Sequence, residues 1–175
     1  FQRFWVACIV ISLLYVPVAN SHRTFYFAIP DSVNPWVYVA PVTQWQRTRE
    51  MNQLIAQIAP EESVSASNTM IPHLSGRRVA LRLPIYSFTD DRGKTKEVDA
   101  IVVDFWRLNR YQIAFKRDRQ YLIDYKQLVN QLLARQEYGA IAFRNGVVLL
   151  RQNQPSDPDA LRQWQQYATS ELREF

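Results

Sequence analysis

The chain has 175 residues, 47% of them hydrophobic and 21% charged, with no repeat or low-complexity segment; this excludes a disordered or fibrous protein and fits one folded domain. Its net charge of +5 suits nucleic acid, an anionic membrane surface or a phosphorylated ligand, and selects none of them. The basic residues are 17 Arg and 4 Lys, a bias that suits phosphate contacts but also follows from genomic base composition, and the single cysteine, Cys8, excludes an intrachain disulfide and a cysteine metal site.

Residues 4–19 read FWVACIVISLLYVPVA, sixteen positions without a charge. At about 1.5 Å rise per residue this is slightly short of a bilayer core, unless Phe1 and Gln2 extend it or flanking residues snorkel. Three readings compete. A cleaved signal peptide fits the basic start and the small residues near Val18, Ala19 and Asn20. A buried core helix would carry one apolar stripe, whereas this run is apolar on every face, which fits lipid better. One transmembrane helix is therefore expected over 1–20, kinked or ended by Pro17. The first Met is Met51, so the chain is expected to be truncated, or processed, at its N-terminus. Arg3 argues for a cytoplasmic start and His22 and Arg23 weakly for the reverse, so flanking charge leaves orientation open.

A connector over 21–42, with Pro30, Pro35 and Pro41, leads to a soluble α/β domain over 43–175. Met51, Leu54, Ile55 and Ile58 mark a helix over 43–58, ended by Pro60. Residues 63–67 (SVSAS) predict a strand, Asn68 caps a brief helix through Met70, Ile71 and Leu74, and Gly76 closes it. A second strand over 78–83 puts Val79, Leu81 and Leu83 on one face and stops at Pro84. The polar stretch 87–97 around Gly93 reads as a surface loop or hairpin tip. Residues 100–105 (AIVVDF) have the pattern of a strand covered on both faces, the sheet's centre.

A basic, aromatic connector over 106–120 precedes a helix whose buried side is Leu122, Tyr125, Val129, Leu132 and Leu133, with Asp124 as its cap. Asn145-Gly146 between 140–143 and 147–150 predicts a hairpin with a type I′ turn, so the last strand is antiparallel. Ser156, Asp157, Pro158 and Asp159 start a final helix with Leu161, Trp164, Ala168 and Leu172 facing inward. The expected fold is α/β: a small open, mostly parallel sheet with an antiparallel edge hairpin, helices on both faces, and one transmembrane helix before it.

Open α/β sheets collect ligands beyond the carboxyl ends of their strands. Ser67 and Asn68 follow the first strand and Asp104 ends the third; His73 and Arg77 lie close in sequence. This hydroxyl, amide, carboxylate, imidazole and guanidinium set suits a sugar or phosphate. The plainer alternative is that Asn68 caps its helix, His73 packs or faces solvent, and Asp104 holds a loop; on the residues alone it is the stronger of the two. Glycine-rich phosphate loops, G-x-S-x-G, H-E-x-x-H and paired cysteines are missing, and His22 and His73 are too far apart for a metal site, so no metal and no cofactor are expected. Asp90 and Asp91 before a glycine read as turn residues. Arg107, Arg110, Lys116, Arg117 and Arg119, interleaved with Trp106, Tyr111 and Phe115, suit lipid phosphates or nucleic acid, and a membrane anchor makes nucleic acid the poorer partner.

The stretch 58–68 (IAPEESVSASN) running on to 70–78 (MIPHLSGRR) resembles part of a large bacterial family of predicted polytopic membrane proteins of unknown function. Residues 98–104 (VDAIVVD) resemble that family's acidic-ended strand, and Tyr138, Gly139, Ala140 and Ile141 with 146–151 (GVVLLR) its closing hairpin. The resemblance covers most of 43–151. Because the family is grouped with the GT-C glycosyltransferases, which use polyprenyl-phosphate sugars on the extracytoplasmic side, it implies that this chain is the last membrane helix and C-terminal periplasmic domain of such an enzyme. The catalytic acid of those enzymes belongs to an early loop outside this chain. The implied partners are the lipid bilayer and a lipid-linked sugar or glycan; a non-catalytic single-span subunit docked on other membrane subunits is the alternative.

Overall fold

The computed structural model describes residues 2–19, 39 and 41–172. The chain divides into two units, Phe1–Gln46 and Arg47–Phe175. In the first, helix α1 (Gln2–Ala19) continues through Pro17, and Phe4, Trp5, Ile9, Val10, Ile11 and Leu13 are all exposed. Among the described residues no helix is long and apolar enough to cross a membrane, so the transmembrane helix expected over 1–20 is not found there. Phe1, Asn20 and nearly all of the connector expected over 21–42 lie outside the described residues.

Helix α2 (Pro41–Ile55) starts at a proline, whose missing N–H costs nothing in a first turn. The second unit then runs β1 (Val64–Ala66), α3 (Ile71–Leu74), β2 (Ala80–Arg82), β3 (Ser87–Thr89), β4 (Thr95–Glu97), β5 (Ala100–Asp104), α4 (Phe105–Tyr111), α5 (Lys116–Ala134), β6 (Tyr138–Arg144), β7 (Val147–Gln152) and α6 (Pro158–Ser170). Five strands form one sheet in the order β2-β1-β5-β7-β6, and β3 and β4 pair in a separate antiparallel hairpin over the stretch expected as a loop or hairpin tip. β2, β1 and β5 are parallel, β7 runs against β5, and β6 runs against β7, so four of the five strands share one direction.

Strand β5 is buried at all five positions and sits at the centre, as its apolar run predicts. Ile101 and Val103 pack on one face with Phe105, Tyr125, Tyr138 and Trp164. Ala100 and Val102 pack on the other with Leu54, Val64, Ala66, Met70 and Leu74. α4, α5 and α6 thus cover one face, α2 and α3 the other, each buried large side chain contributing about 1.5–3 kcal/mol. β1 alternates apolar and serine positions, and each serine hydroxyl is satisfied. Ser63 Oγ donates to Asp99 Oδ2 at 2.6 Å, Ser65 Oγ donates to the Ile85 carbonyl at 2.7 Å, and Ser67 Oγ accepts from the Asp104 N–H at 3.2 Å. A strand that looks half polar is therefore wholly buried.

Three local expectations are corrected. The stretch 106–120 is no connector: α4 occupies its first part and α5 begins at Lys116. Asn68 does not cap α3, whose N-cap is Met70 without a side-chain bond. Asp124 lies inside α5 and accepts from Gln120 at 2.8 Å; the N-cap is Phe115. Asp157 does cap α6, accepting from the Ala160 N–H, and its buried side is Ala160, Trp164 and Ala168.

The hairpin turn has Asn145 at φ 46° and Gly146 at φ 77°, the positive pair a type I′ turn requires. Gly139 is demanded by space: a Cβ there would lie 2.2 Å from the Gln154 carbonyl oxygen and 2.6 Å from the Pro155 carbonyl carbon, backbone atoms that cannot swing aside. Gly139→Ala should therefore cost about 1–3 kcal/mol and lower Tm by several degrees, whereas Gly76→Ala, with nothing within 4 Å, should stay within about 0.5 kcal/mol. Thermal melts of both variants check this, and equal melting would refute it.

Candidate functional site

The carboxyl end of β5 is where the sequence places a site, and the structure fills it from three directions. Asp104 terminates the strand and caps the next helix, its Oδ1 accepting the Arg107 N–H at 3.0 Å. Arg47, from α2, brings Nη2 to the same Oδ1 at 3.0 Å and donates through Nη1 to the Asn145 carbonyl at 2.8 Å. Its guanidinium carbon stands 3.8 Å from the centroid of the Trp106 ring, a cation–π contact made away from solvent. The Asp104 side chain is 6% exposed and that of Arg47 12%.

The hairpin tip closes the remaining side. The Gly146 carbonyl accepts the Phe105 and Trp106 N–H groups at 2.8 and 3.3 Å, and a Cβ on Gly146 would come within 2.7 Å of the Tyr167 hydroxyl and 2.8 Å of Trp106 Cβ. Asn145 also bonds Glu50, and Arg144 Nη1 donates to Gln53 Oε1 at 3.1 Å, so Arg47, Glu50 and Gln53 all join α2 to the hairpin. Burial pushes the Asp104 carboxyl above the usual carboxylate range, against the pull of Arg47 and of the Arg107 amide. Burial, and then the Asp104 charge, push the Tyr167 phenol well above its ordinary value.

Of the five residues the sequence nominates, the structure brings two together. Ser67 and Asp104 are buried and bonded to each other. Asn68 and His73 are exposed, the one just past β1 and the other on α3. Arg77 stands apart: it donates to the carbonyls of Ala59 and Ile58, the latter at 2.9 Å, in the loops that lead into β1 and β2, at the amino edge. A groove of about 600 Å³ adjoins the hairpin side of the site, lined by Glu50, Arg144, Asn145 and Asp157, and another of the same volume lies elsewhere, lined by Arg78, Asp90, Lys96 and Asp99; none of the five lines either. Asp90 is a turn residue, its Oδ1 accepting the Arg92 and Lys94 N–H groups at 2.9 Å each; the Lys94 amide and the Lys96 ammonium hold it below the usual range. Among the described residues no group of His, Cys, Asp or Glu is placed to hold a metal ion.

Sequence reasoning misses Arg47 and Tyr167 altogether, and it reads Trp106 only as part of the basic aromatic stretch and Asn145-Gly146 only as a turn. A signal for Arg47 existed, because it lies four residues before Met51 and seven before Leu54, one turn back along the buried stripe of α2. Chemically the arrangement is a lock: the carboxylate is neutralised, capped and shielded, so it holds the edge shut.

Because the folded Asp104 holds its proton more tightly than the unfolded chain, this group favours folding most below the unfolded pKa of about 4, and the advantage fades as pH rises through its folded value. The stability of the native chain relative to Asp104→Asn should therefore decline as pH rises above about 4. Urea midpoints of both proteins across a pH series test this; a gap that widens with pH would contradict it.

No curated protein and no solved structure matches the chain. A family model does: the one described as predicted membrane protein (DUF2079), over residues 1–149, from α1 through β6 and into β7. With that much of its length matched, the chain belongs to the DUF2079 family of predicted membrane proteins.

Proposed function

We propose that this chain is a membrane-tethered, extracytoplasmic α/β domain of a GT-C-like glycosyltransferase, in which α1 enters the bilayer and the domain holds a lipid-linked sugar or a glycan acceptor at the membrane surface. The observation that carries the reading is on α1. Ile9, Val10 and Ile11 are consecutive residues about 100° apart around a helix, and their exposures are 57%, 48% and 64%. An apolar surface on every side suits hydrocarbon rather than a groove on one partner. Membership of a predicted membrane protein family supports the same reading.

Within this proposal the ligand meets Asn68 and His73, the exposed members of the nominated set, while Ser67 and Asp104 stiffen the edge behind them. No described residue is assigned as the catalytic acid, which the resemblance to GT-C enzymes locates outside this chain. One observation favours the second reading, a non-catalytic subunit whose helix docks into a larger membrane assembly: the one buried carboxylate at the edge is already committed to Arg47.

Calorimetric titration of the full chain in detergent with a short-chain polyprenyl phosphate separates the two. The proposal expects binding that Asn68→Ala with His73→Ala weakens about a hundredfold, the loss of two hydrogen bonds to a charged group at about 1.5 kcal/mol each. Binding unchanged in that variant would remove the site assignment. No binding by the native chain, together with a stable complex of other membrane proteins, would establish the subunit.

A further inference from the structure

The corner between α4 and α5 concentrates the chain's charge. Residues 105–121 hold Arg107, Arg110, Lys116, Arg117 and Arg119 against Asp118, a balance of five minus one, or +4 of the whole chain's +5. Among the described residues Arg107, Lys116, Arg117 and Arg119 form no ion pair with a carboxylate. Lys116, Arg117 and Arg119 crowd the first turn of α5, where the helix dipole is itself positive and Asp118 is the one acidic side chain, so the turn keeps a net positive charge that favours an anion alongside.

The same corner exposes apolar side chains. Ile113 is 67% and Phe115 50% exposed, on a turn held firm by the Ala114 and Phe115 N–H groups, both donating to the Tyr111 carbonyl at 3.0 Å. The Phe115 ring stacks on Tyr111 with centroids 6.0 Å apart, and the Arg107 guanidinium lies 4.6 Å over Tyr111. Arg117 covers Tyr121 at 5.7 Å, and the Tyr121 hydroxyl accepts from Arg82 at 3.2 Å, bringing a further cation to the margin. An apolar tip ringed by arginines that rest on aromatic rings is the side-chain pattern of a bilayer interface. Of the two apex side chains Ile113 offers no stacking platform for bases and Phe115 has one ring face covered by Tyr111, so single-stranded nucleic acid fits less well.

We propose that the α4–α5 corner is a membrane-contacting surface for anionic lipid: Ile113 and Phe115 enter the headgroup boundary while Arg107, Lys116, Arg117 and Arg119 meet lipid phosphates. This rests on the membrane-tethered reading of the chain and adds a second point of attachment, set by the lipid's charge.

The test uses the full chain with Cys8→Ser and Phe115→Cys, carrying an environment-sensitive fluorophore at 115, reconstituted into phosphatidylcholine vesicles with and without phosphatidylglycerol. A matched protein labelled through Asp159→Cys, an exposed position in the first turn of α6, is the control. Expected is a blue shift at 115, quenched by brominated lipid, only with phosphatidylglycerol, and none at 159. Each cation near an anionic surface is worth about fivefold in partition, so Arg117→Gln with Arg119→Gln should lower the docked fraction relative to the undocked about thirtyfold. A chain that floats with vesicles while the 115 label stays aqueous overturns this surface and leaves the tether standing. A chain that floats with neither vesicle overturns both. An equal response in neutral vesicles, or a response to oligonucleotide without lipid, also overturns the assignment.

Discussion

One charge pair at the end of the central strand constrains everything around it. Asp104 finishes β5, and with its side chain 6% exposed an unpaired carboxylate there would cost several kcal/mol. Arg47 offsets part of that cost, and only if α2 lies across the carboxyl end of β5 and the amino end of β7. The hairpin must then turn so that the Asn145 carbonyl takes the second guanidinium N–H, which demands positive φ at Asn145. Gly146 must be glycine so that Trp106 and Tyr167 can close over the turn, and Trp106 must offer its ring to Arg47. Helix, strand and hairpin meet at a single carboxylate, and the place where open α/β sheets commonly admit a ligand is closed by the protein's own side chain.

With that edge sealed, function moves to what remains exposed. α1 exposes apolar side chains, and the family is one of predicted membrane proteins. Asn68 and His73 are exposed, and the cationic corner of α4 and α5 carries most of the net charge next to two exposed apolar side chains.

Much of the fold was legible because apolar runs and turn chemistry act locally. The uninterrupted apolar run of β5, the Asn145-Gly146 turn, the Asp157 cap and the Leu122, Tyr125, Val129, Leu132 stripe each predict their element. α4 was missed since a seven-residue helix burying only Phe105 and Leu108 is too short for a 3.6-residue period to emerge from a basic stretch. Asn68 and Asp124 have the right chemistry for caps at places where the backbone does not start a helix. For the site, the meeting of Ser67 and Asp104 follows from parallel pairing of β1 and β5, with Ala66 opposite Val102. Arg77 was grouped with them by closeness in sequence, yet a residue that precedes a parallel strand lies at the amino edge. Arg47 sits 57 residues from Asp104, and no local pattern links the two.

The central claim is that Arg47 and Asp104 act as one unit. A double-mutant cycle on the full chain with Arg47→Met and Asp104→Asn, read by urea denaturation, tests it most directly. Each single change should cost about 3–5 kcal/mol because it strands the other group, and the pair together should fall short of the sum by about 1–3 kcal/mol. Costs that add to the full sum would contradict the account.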